Sequence, residues 1–208
     1  MTDSESTKQL HRAYKAKSAG ETSGVYDDWA KDYEAHMKNV GYAHPALVAA
    51  MLSRHLAPTG DEILDAGAGT GIMGEMLTAL GYSSLAGIDA SEGMLARAGE
   101  KGLYGTLQHA FLGEALPFAD GRFAAVVSAG VFTQGHAPLS GLDELIRVVR
   151  PGGLLVFSVA RTYLDGPFAD KRRELEEAGR WEFVDRTGRY NSAPLGDELI
   201  SQVYAFRV

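Results

Sequence analysis

The sequence predicts an α/β domain on a mostly parallel sheet, with helices on both faces. Three observations carry this. From residue 63 to about residue 180, short apolar runs alternate with amphipathic stretches of helical period. The first apolar run ends in a glycine-rich turn that leads straight into a helix. The last two apolar runs have no helix between them, so they read as antiparallel neighbours at one edge, because a parallel crossover needs a longer connection.

The elements follow in order. Residues 1–22 are polar and read as a flexible tail, which leaves 23–208 as a single domain. Tyr26, Trp29, Ala30, Tyr33 and Met37 share one face of a helix. A second helix opens at His44-Pro45, carries Val48, Met51, Leu52 and His55 on its inner face, and stops at Pro58-Thr59-Gly60. Ile63–Ala66 reads as a buried strand, Gly67–Gly71 as the turn, and Met73, Met76, Leu77 and Leu80 as a helix closed by Gly81. Leu85–Asp89 is a second strand, with Ser91 placed to cap a helix over about 92–99. Further strands are expected at 104–108, 124–128, 154–159, 181–185 and 200–208, making seven. A helix marked by Leu142, Leu145, Ile146 and Val149 ends at Arg150-Pro151-Gly152-Gly153, and a charged helix covers about 168–178. The expected architecture is Rossmann-like and doubly wound, with an antiparallel edge strand.

Composition excludes several functions. The chain of 208 residues has no Cys, which removes thiol catalysis, disulfides and Cys-ligated metal centres, and no metal site is expected. The net charge of -7 lacks the electrostatic footprint of a nucleic-acid binder. No apolar run is long enough to span a membrane, and the first residues lack a signal-peptide pattern, so a cytoplasmic protein is expected. Oligomeric state is not legible.

The chemistry concentrates in Asp65-Ala66-Gly67-Ala68-Gly69-Thr70-Gly71. Glycine supplies backbone angles that other residues resist, and its bare backbone lets a ligand touch the main chain. The helix that follows offers free N–H groups. Asp89 ends the next strand, where a carboxylate accepts hydrogen bonds from both ribose hydroxyls. Turn and acid together indicate a nucleoside-containing ligand. Gly69-x-Gly71-x-x-Gly74, with Asp89 20 residues after Gly69, also matches a dinucleotide fingerprint. In that frame the first glycine directly follows the strand, here Gly67, and Ile72 then stands where a third Gly or Ala belongs. Asp65 at the strand end suits a ligand carrying an ammonium better than a pyrophosphate.

Over about residues 24–160 the sequence resembles the class I S-adenosylmethionine (SAM) methyltransferases. The resemblance rests on Asp65-x-Gly67-x-Gly69-x-Gly71, Tyr26-Asp27-x-Trp29-Ala30-x-x-Tyr33, Gly87-Ile88-Asp89-Ala90-Ser91 with Met94, Leu116-Pro117-Phe118, and Leu145-x-Arg147-Val148-x-Arg150-Pro151-Gly152-Gly153. Gly102-Leu103-Tyr104, Leu112-Gly113-Glu114 and Arg161-Thr162 look most like members acting on small molecules. The resemblance implies roles. Ala66, Gly67, Ala68 and Gly69 would pass under the cofactor, and Asp65 would face its ammonium, directly or through water. Asp89 would hold the ribose, Ala90 and Met94 would flank the adenine, and Leu112 and Gly113 would border its other edge, with Ala129 beyond the fourth strand. The family often has Asp where Leu112 stands, bonding the adenine amino group, so that side-chain bond is missing here; Ala124 separately replaces a frequent Asp of the fourth strand. Tyr26, Trp29 and Tyr33, on a helical segment of about 24–56, read either as plain core or as a lid; the resemblance favours the lid.

His136, after the fourth strand, is the candidate general base, or else an ordinary loop histidine. His44 and His55 read as cap and core residues, and Arg161, Tyr163, Asp165, Arg189 and Tyr190 as possible substrate-side groups. The expected function is SAM-dependent methyl transfer to a small-molecule acceptor, with S-adenosylhomocysteine as product and neither nucleic acid nor membrane as partner. The alternatives are an NAD(P)-dependent oxidoreductase and a non-catalytic SAM-binding protein.

Overall fold

The computed structural model describes Arg12 and residues 19–208. Its helices are α1 (Ala19–Trp29), α2 (Tyr33–Val40), α3 (His44–His55), α4 (Ile72–Ala79), α5 (Glu92–Glu100), α6 (Gly141–Val148), α7 (Arg161–Leu164) and α8 (Pro167–Glu177). The strands are β1 (Ile63–Ala66), β2 (Leu85–Asp89), β3 (Thr106–His109), β4 (Phe123–Phe132), β5 (Val149–Ala160), β6 (Glu182–Arg186), β7 (Tyr190–Asn191) and β8 (Ile200–Arg207).

One sheet runs in the order β3-β2-β1-β4-β5-β8-β6. β1 to β5 are parallel, and β8 lies antiparallel between β5 and β6. The expected seven strands form this path, and a two-residue eighth, β7, adds to β8. The chain builds outward from β1 through β2 to β3, then returns to place β4 on the other side of β1. This reversal opens a crevice at the carboxyl ends of β1 and β4.

The strands bury both faces, which is why they read as continuous apolar runs rather than alternating ones. Ile63, Val127, Leu154 and Val156 pack with Leu52 and Leu77 on one side. Leu64, Ile88, Leu155 and Phe157 pack with Leu142, Phe168 and Phe206 on the other. Neighbouring residues in β1 and β5 thus point to opposite layers, as the period of two requires. Phe157 sits among the rings of Phe132, Phe168, Trp181 and Phe206, and Trp181 stacks on Phe206 at 3.9 Å between centroids.

Several boundaries differ from the sequence expectation. The stripe from Tyr26 to Met37 lies on two helices, because Asp32 N–H closes a tight turn onto Trp29 O (3.0 Å) and Asp32 O then starts α2 (3.1 Å to His36 N). The apolar period survives that break, so the pattern alone hides it. Residues 19–22, assigned to the tail, are helical; the other tail residues except Arg12 lie outside the described residues. β4 continues to Phe132 through a register shift after Ser128. Arg150-Pro151-Gly152-Gly153 follows α6 inside β5 rather than in a loop, because the chain end pairs with it: Val208 N–H donates to Gly153 O at 3.1 Å. Among the described residues no helix is long and apolar enough to cross a membrane.

Truncating Phe157 to Ala removes the shared neighbour of four rings. The expected loss is about 3–5 kcal/mol of unfolding free energy by urea denaturation, the usual cost of emptying such a site.

Candidate active site

The glycine turn is shaped by close approaches on one side and open space on the other. Gly67 and Ala68 N–H both donate to Ile88 O, each at 2.9 Å, which fastens the turn to β2. Gly67 has φ +89, and an added Cβ would lie 2.3 Å from Val131 Cγ2, so only glycine fits. Gly69 has φ +55, and a Cβ there would meet nothing within 4 Å. Its bare backbone faces the cleft.

Asp89 ties this turn to the next helix. Its Oδ2 accepts from Gly69 N–H at 2.8 Å and its Oδ1 from Ser91 N–H at 2.9 Å. Removal from water pushes its carboxyl up, the two N–H groups oppose that, and Asp27 adds to the rise. Ser91 caps α5 as expected, accepting from Met94 N–H at 3.0 Å.

α1 lies across the opening and is fixed at both rims. Ser23 Oγ donates to Ala90 O at 2.5 Å, and Thr22 Oγ1 to Gly135 O at 2.8 Å. Asp27 Oδ1 receives Ser91 Oγ (2.5 Å) and Gly93 N–H (2.8 Å). A first chamber, about 820 Å³ of open space, results. Of the residues singled out from the sequence, Gly67, Gly69, Asp89, Ala90 and Met94 border it on the turn side. Tyr26, Tyr33, Leu112, Ala129 and His136 border it elsewhere. Tyr42, Phe111, Gly130 and Val131 complete its apolar walls, and none of these was singled out. Phe111 and Val131 lie outside any periodic pattern; Tyr42 sits in the break before α3.

Five singled-out residues do not border the chamber, each for a packing reason. Trp29 is fully buried behind the lid tyrosines, stacked on Tyr26 at 5.9 Å and edge-on to Tyr33 at 5.0 Å. Ala66 is buried in β1. Ala68 turns its methyl inward against Gly87. Gly113, φ +109, lies at the surface beside Pro138. Asp65 is wholly buried below the turn. Tyr104 Oη donates to Asp65 Oδ2 at 2.6 Å and accepts Gly74 N–H at 3.0 Å, while Asp65 Oδ1 has no hydrogen-bond partner among the described residues. Burial, reinforced by Asp89 and opposed by the Tyr104 bond, pushes the Asp65 carboxyl up to about 7. Asp65, expected to face a ligand ammonium directly or through water, stands one layer behind the glycines and does not border the chamber.

A second chamber, about 730 Å³, adjoins the first and shares Tyr26, Tyr33, Tyr42, Gly130 and His136 with it. His36, Met37, Val40 and His44 wall it on the helical side, and residues of the 192–199 segment close it. His136 stands between the chambers with Nε2 at 2.7 Å from Tyr26 Oη, and burial holds its imidazole below the usual range. His44, expected to act as a cap, is instead a wall residue bonded through Nδ1 to Tyr190 Oη at 2.6 Å. His55 pairs with Asp185 (3.0 Å) rather than entering the core. Arg161 borders a third pocket that shares His44 and Gly130 with the second. Asp165 and Arg189 pair with each other, and the Tyr163 hydroxyl turns to Ala137 O at 3.4 Å. Among the described residues no group of three or more His, Asp or Glu could hold a metal.

A sheet reversal, a glycine turn and a strand-end carboxylate under a helical cover define a Rossmann-like domain for a nucleoside-containing cofactor. Residues 64–157 match a family described as "Methyltransferase domain". The chain is 35% identical over 164 residues to human Methyltransferase-like protein 27 (76% of this chain, 66% of that protein). It is 35% identical over 151 residues to the demethylmenaquinone methyltransferase of Clavibacter sepedonicus (71% of this chain, 61% of that protein). The chain thus spans less than two thirds of either relative. In solved structures it is similar to the [4+2]-cyclase SpnF, with TM-score 0.69, 17% identity, and 92% and 96% of the two chains covered. The chain belongs to the class I SAM-dependent methyltransferase family. The family's cofactor is SAM, and the residues present fit it: Gly69 leaves bare backbone beside a desolvated carboxylate, under aromatic walls.

The raised Asp65 group yields a test with a definite sign. The unfolded chain loses this proton near the model-peptide value of about 3.9, and the folded chain only near 7. Between these values the native state binds more protons, so this group's contribution to stability falls as pH rises. Urea unfolding should show Asp65→Asn gaining stability relative to wild type as pH rises from 4 to 7. A difference that stays flat with pH would show that Asp65 ionises normally.

Proposed function

We propose that the protein transfers a methyl group from SAM to a small molecule, with the cofactor in the first chamber and the acceptor in the second. The observation that carries this reading is the pair of contiguous chambers. One is floored by the glycine turn, and the two meet at Tyr26, Tyr33, Tyr42, Gly130 and His136. SAM supplies an electrophilic methyl on a sulfonium whose departure as a neutral thioether needs no acid.

The chain's own residues then have limited tasks. Asp89, preset by Gly69 and Ser91 N–H, receives the ribose hydroxyls. Ala90, Met94 and Leu112 sandwich the adenine apolarly, which suits the missing side-chain partner for its amino group. Gly67 and Gly69 let the main chain approach. Asp65 stands buried behind the turn, where its surroundings favour the protonated form, and supports the turn rather than touching the cofactor. α1 and α2 serve as a lid that excludes water, with α1 tied to the rims through Thr22 and Ser23 and with Tyr26 and Tyr33 lining both chambers. Closing the two reactants into one water-poor cleft makes the reaction effectively unimolecular, and this orientation effect is the main source of rate.

An acceptor hydroxyl must lose its proton as it attacks. His136 is the base of this reading. Burial keeps its imidazole neutral at pH 7, and Tyr26 Oη, 2.7 Å from Nε2, stands at the junction to relay the proton. A small acceptor is favoured by the enclosed second chamber and the net charge of -7, and a relative bears the name demethylmenaquinone methyltransferase.

Calorimetric titration with SAM, S-adenosylhomocysteine and NAD tests the cofactor half. Micromolar binding of the first two, weakened at least 100-fold in Asp89→Ala, is expected; binding of NAD alone overturns the reading. For the base, His136→Asn should lower kcat on an active acceptor by about 10²–10⁴-fold with unchanged SAM affinity. Unchanged turnover removes His136 from the chemistry.

A further inference from the structure

The walls of the second chamber point to the class of acceptor, an inference that rests on the proposed function. Among the described residues that border this chamber none is Lys or Arg, so a carboxylate or phosphate placed there meets no cation from them. His44, buried in the first turn of α3, is one of the chamber's polar wall residues.

Hydrogen-bond accounting assigns its tautomer. Tyr190 Oη lies 2.6 Å from His44 Nδ1, and the Tyr190 hydroxyl makes no other hydrogen bond among the described residues. Had Nδ1 carried the proton, that largely buried phenol O–H would have nowhere to donate, a costly arrangement. With Tyr190 donating to Nδ1, both groups are satisfied and the imidazole proton sits on Nε2. The ring edge bearing Cδ2 lies against Gly130, where an added Cβ would be 3.4 Å from Cδ2, and both residues line the second and third pockets, which leaves Nε2 as the ring's unshared nitrogen at that common wall. Burial drives the His44 imidazole down to about 3, so it stays uncharged at any pH of interest. Tyr42 packs edge-on to the same ring at 5.3 Å and holds its plane.

We propose that His44 is a specificity-determining residue: oriented by Tyr190, it offers Nε2–H to an oxygen of an uncharged hydroxy- or carbonyl-bearing acceptor. A neutral donor rewards a carbonyl or hydroxyl oxygen. A protonated amine, which has only donors to offer, gains nothing from this N–H.

The test uses protein loaded with S-adenosylhomocysteine and three aromatic probes of similar size: 2-hydroxyacetophenone (neutral), phenethylamine (cationic) and benzoate (anionic). Calorimetry should show the hydroxyketone bound most tightly. His44→Leu should weaken it about 3- to 10-fold, the worth of one neutral hydrogen bond. His44→Gln, which restores an N–H near the Nε2 position, should recover most of that, and Tyr190→Phe, nearly isosteric, should weaken it about 2- to 5-fold. Long-range ¹H–¹⁵N NMR of the wild type should show the Nε2–H tautomer of His44, neutral at pH 7. Preference for the amine or benzoate, no binding of any probe, equal affinity in His44→Leu, or an Nδ1–H or charged imidazole each overturn the proposal. Failure to load with S-adenosylhomocysteine instead strikes the methyl-transfer reading beneath it, so the two failures are distinguishable.

Discussion

The site depends on one carboxylate held at the end of β2. Asp89 joins the glycine turn, through Gly69 N–H, to the α5 N-terminus, through Ser91 N–H, and so adds to the Gly67 and Ala68 bonds that fasten the turn to β2. Ser91 is the N-cap of α5, where the backbone has donors to spare, and Gly69 stands in the turn that leads into α4. These N–H groups offset part of what burial takes from the charged form. With those donors occupied, the remaining lone pairs of the carboxylate are free to face a ligand. α1 attaches to the same point, since Asp27 bonds Ser91 Oγ and Gly93 N–H. The glycine turn, Asp89 and α1 thus share one hydrogen-bond cluster.

Behind this front layer lies a second acid with the opposite character. Asp65 has one oxygen held by Tyr104 and the other without a hydrogen-bond partner, and its surroundings favour the protonated form. Tyr104 also takes the Gly74 N–H at the start of α4 and occupies the space a side chain at 74 would need, with its Oη 2.5 Å from where a Cβ would stand. The glycine at 74, which looks in sequence like part of a dinucleotide fingerprint, is explained by this packing. Motif glycines can answer to a neighbour's ring as well as to a ligand.

His136 and His44 show how identical side chains come to different surroundings. Both lose basicity to burial and both bond a tyrosine hydroxyl. His136 stands on a loop at the junction of the two chambers, whereas His44 stands in the first turn of α3 on the wall of the second. Position rather than residue type separates the two roles proposed for them, and nothing in the local sequence around either one announces the difference.

The sequence by itself determined the layers, the strand–helix alternation, the antiparallel β6–β8 pairing and the ligand-facing turn. Those features depend on local period and on glycine conformations, which are written residue by residue. Gly67, Gly69, Asp89 and Ser91 stand where their spacing placed them, and Tyr26 and Tyr33 line the cleft despite the break between α1 and α2. What only the tertiary structure decided is how distant segments meet. The depth of Asp65 depends on Tyr104, which is 39 residues away; the orientation of His44 depends on Tyr190, 146 residues away. The strand character of Arg150–Gly153 depends on the chain end returning to pair with it. Such contacts leave no periodic trace, because the residues that make them are neighbours only after the sheet has formed.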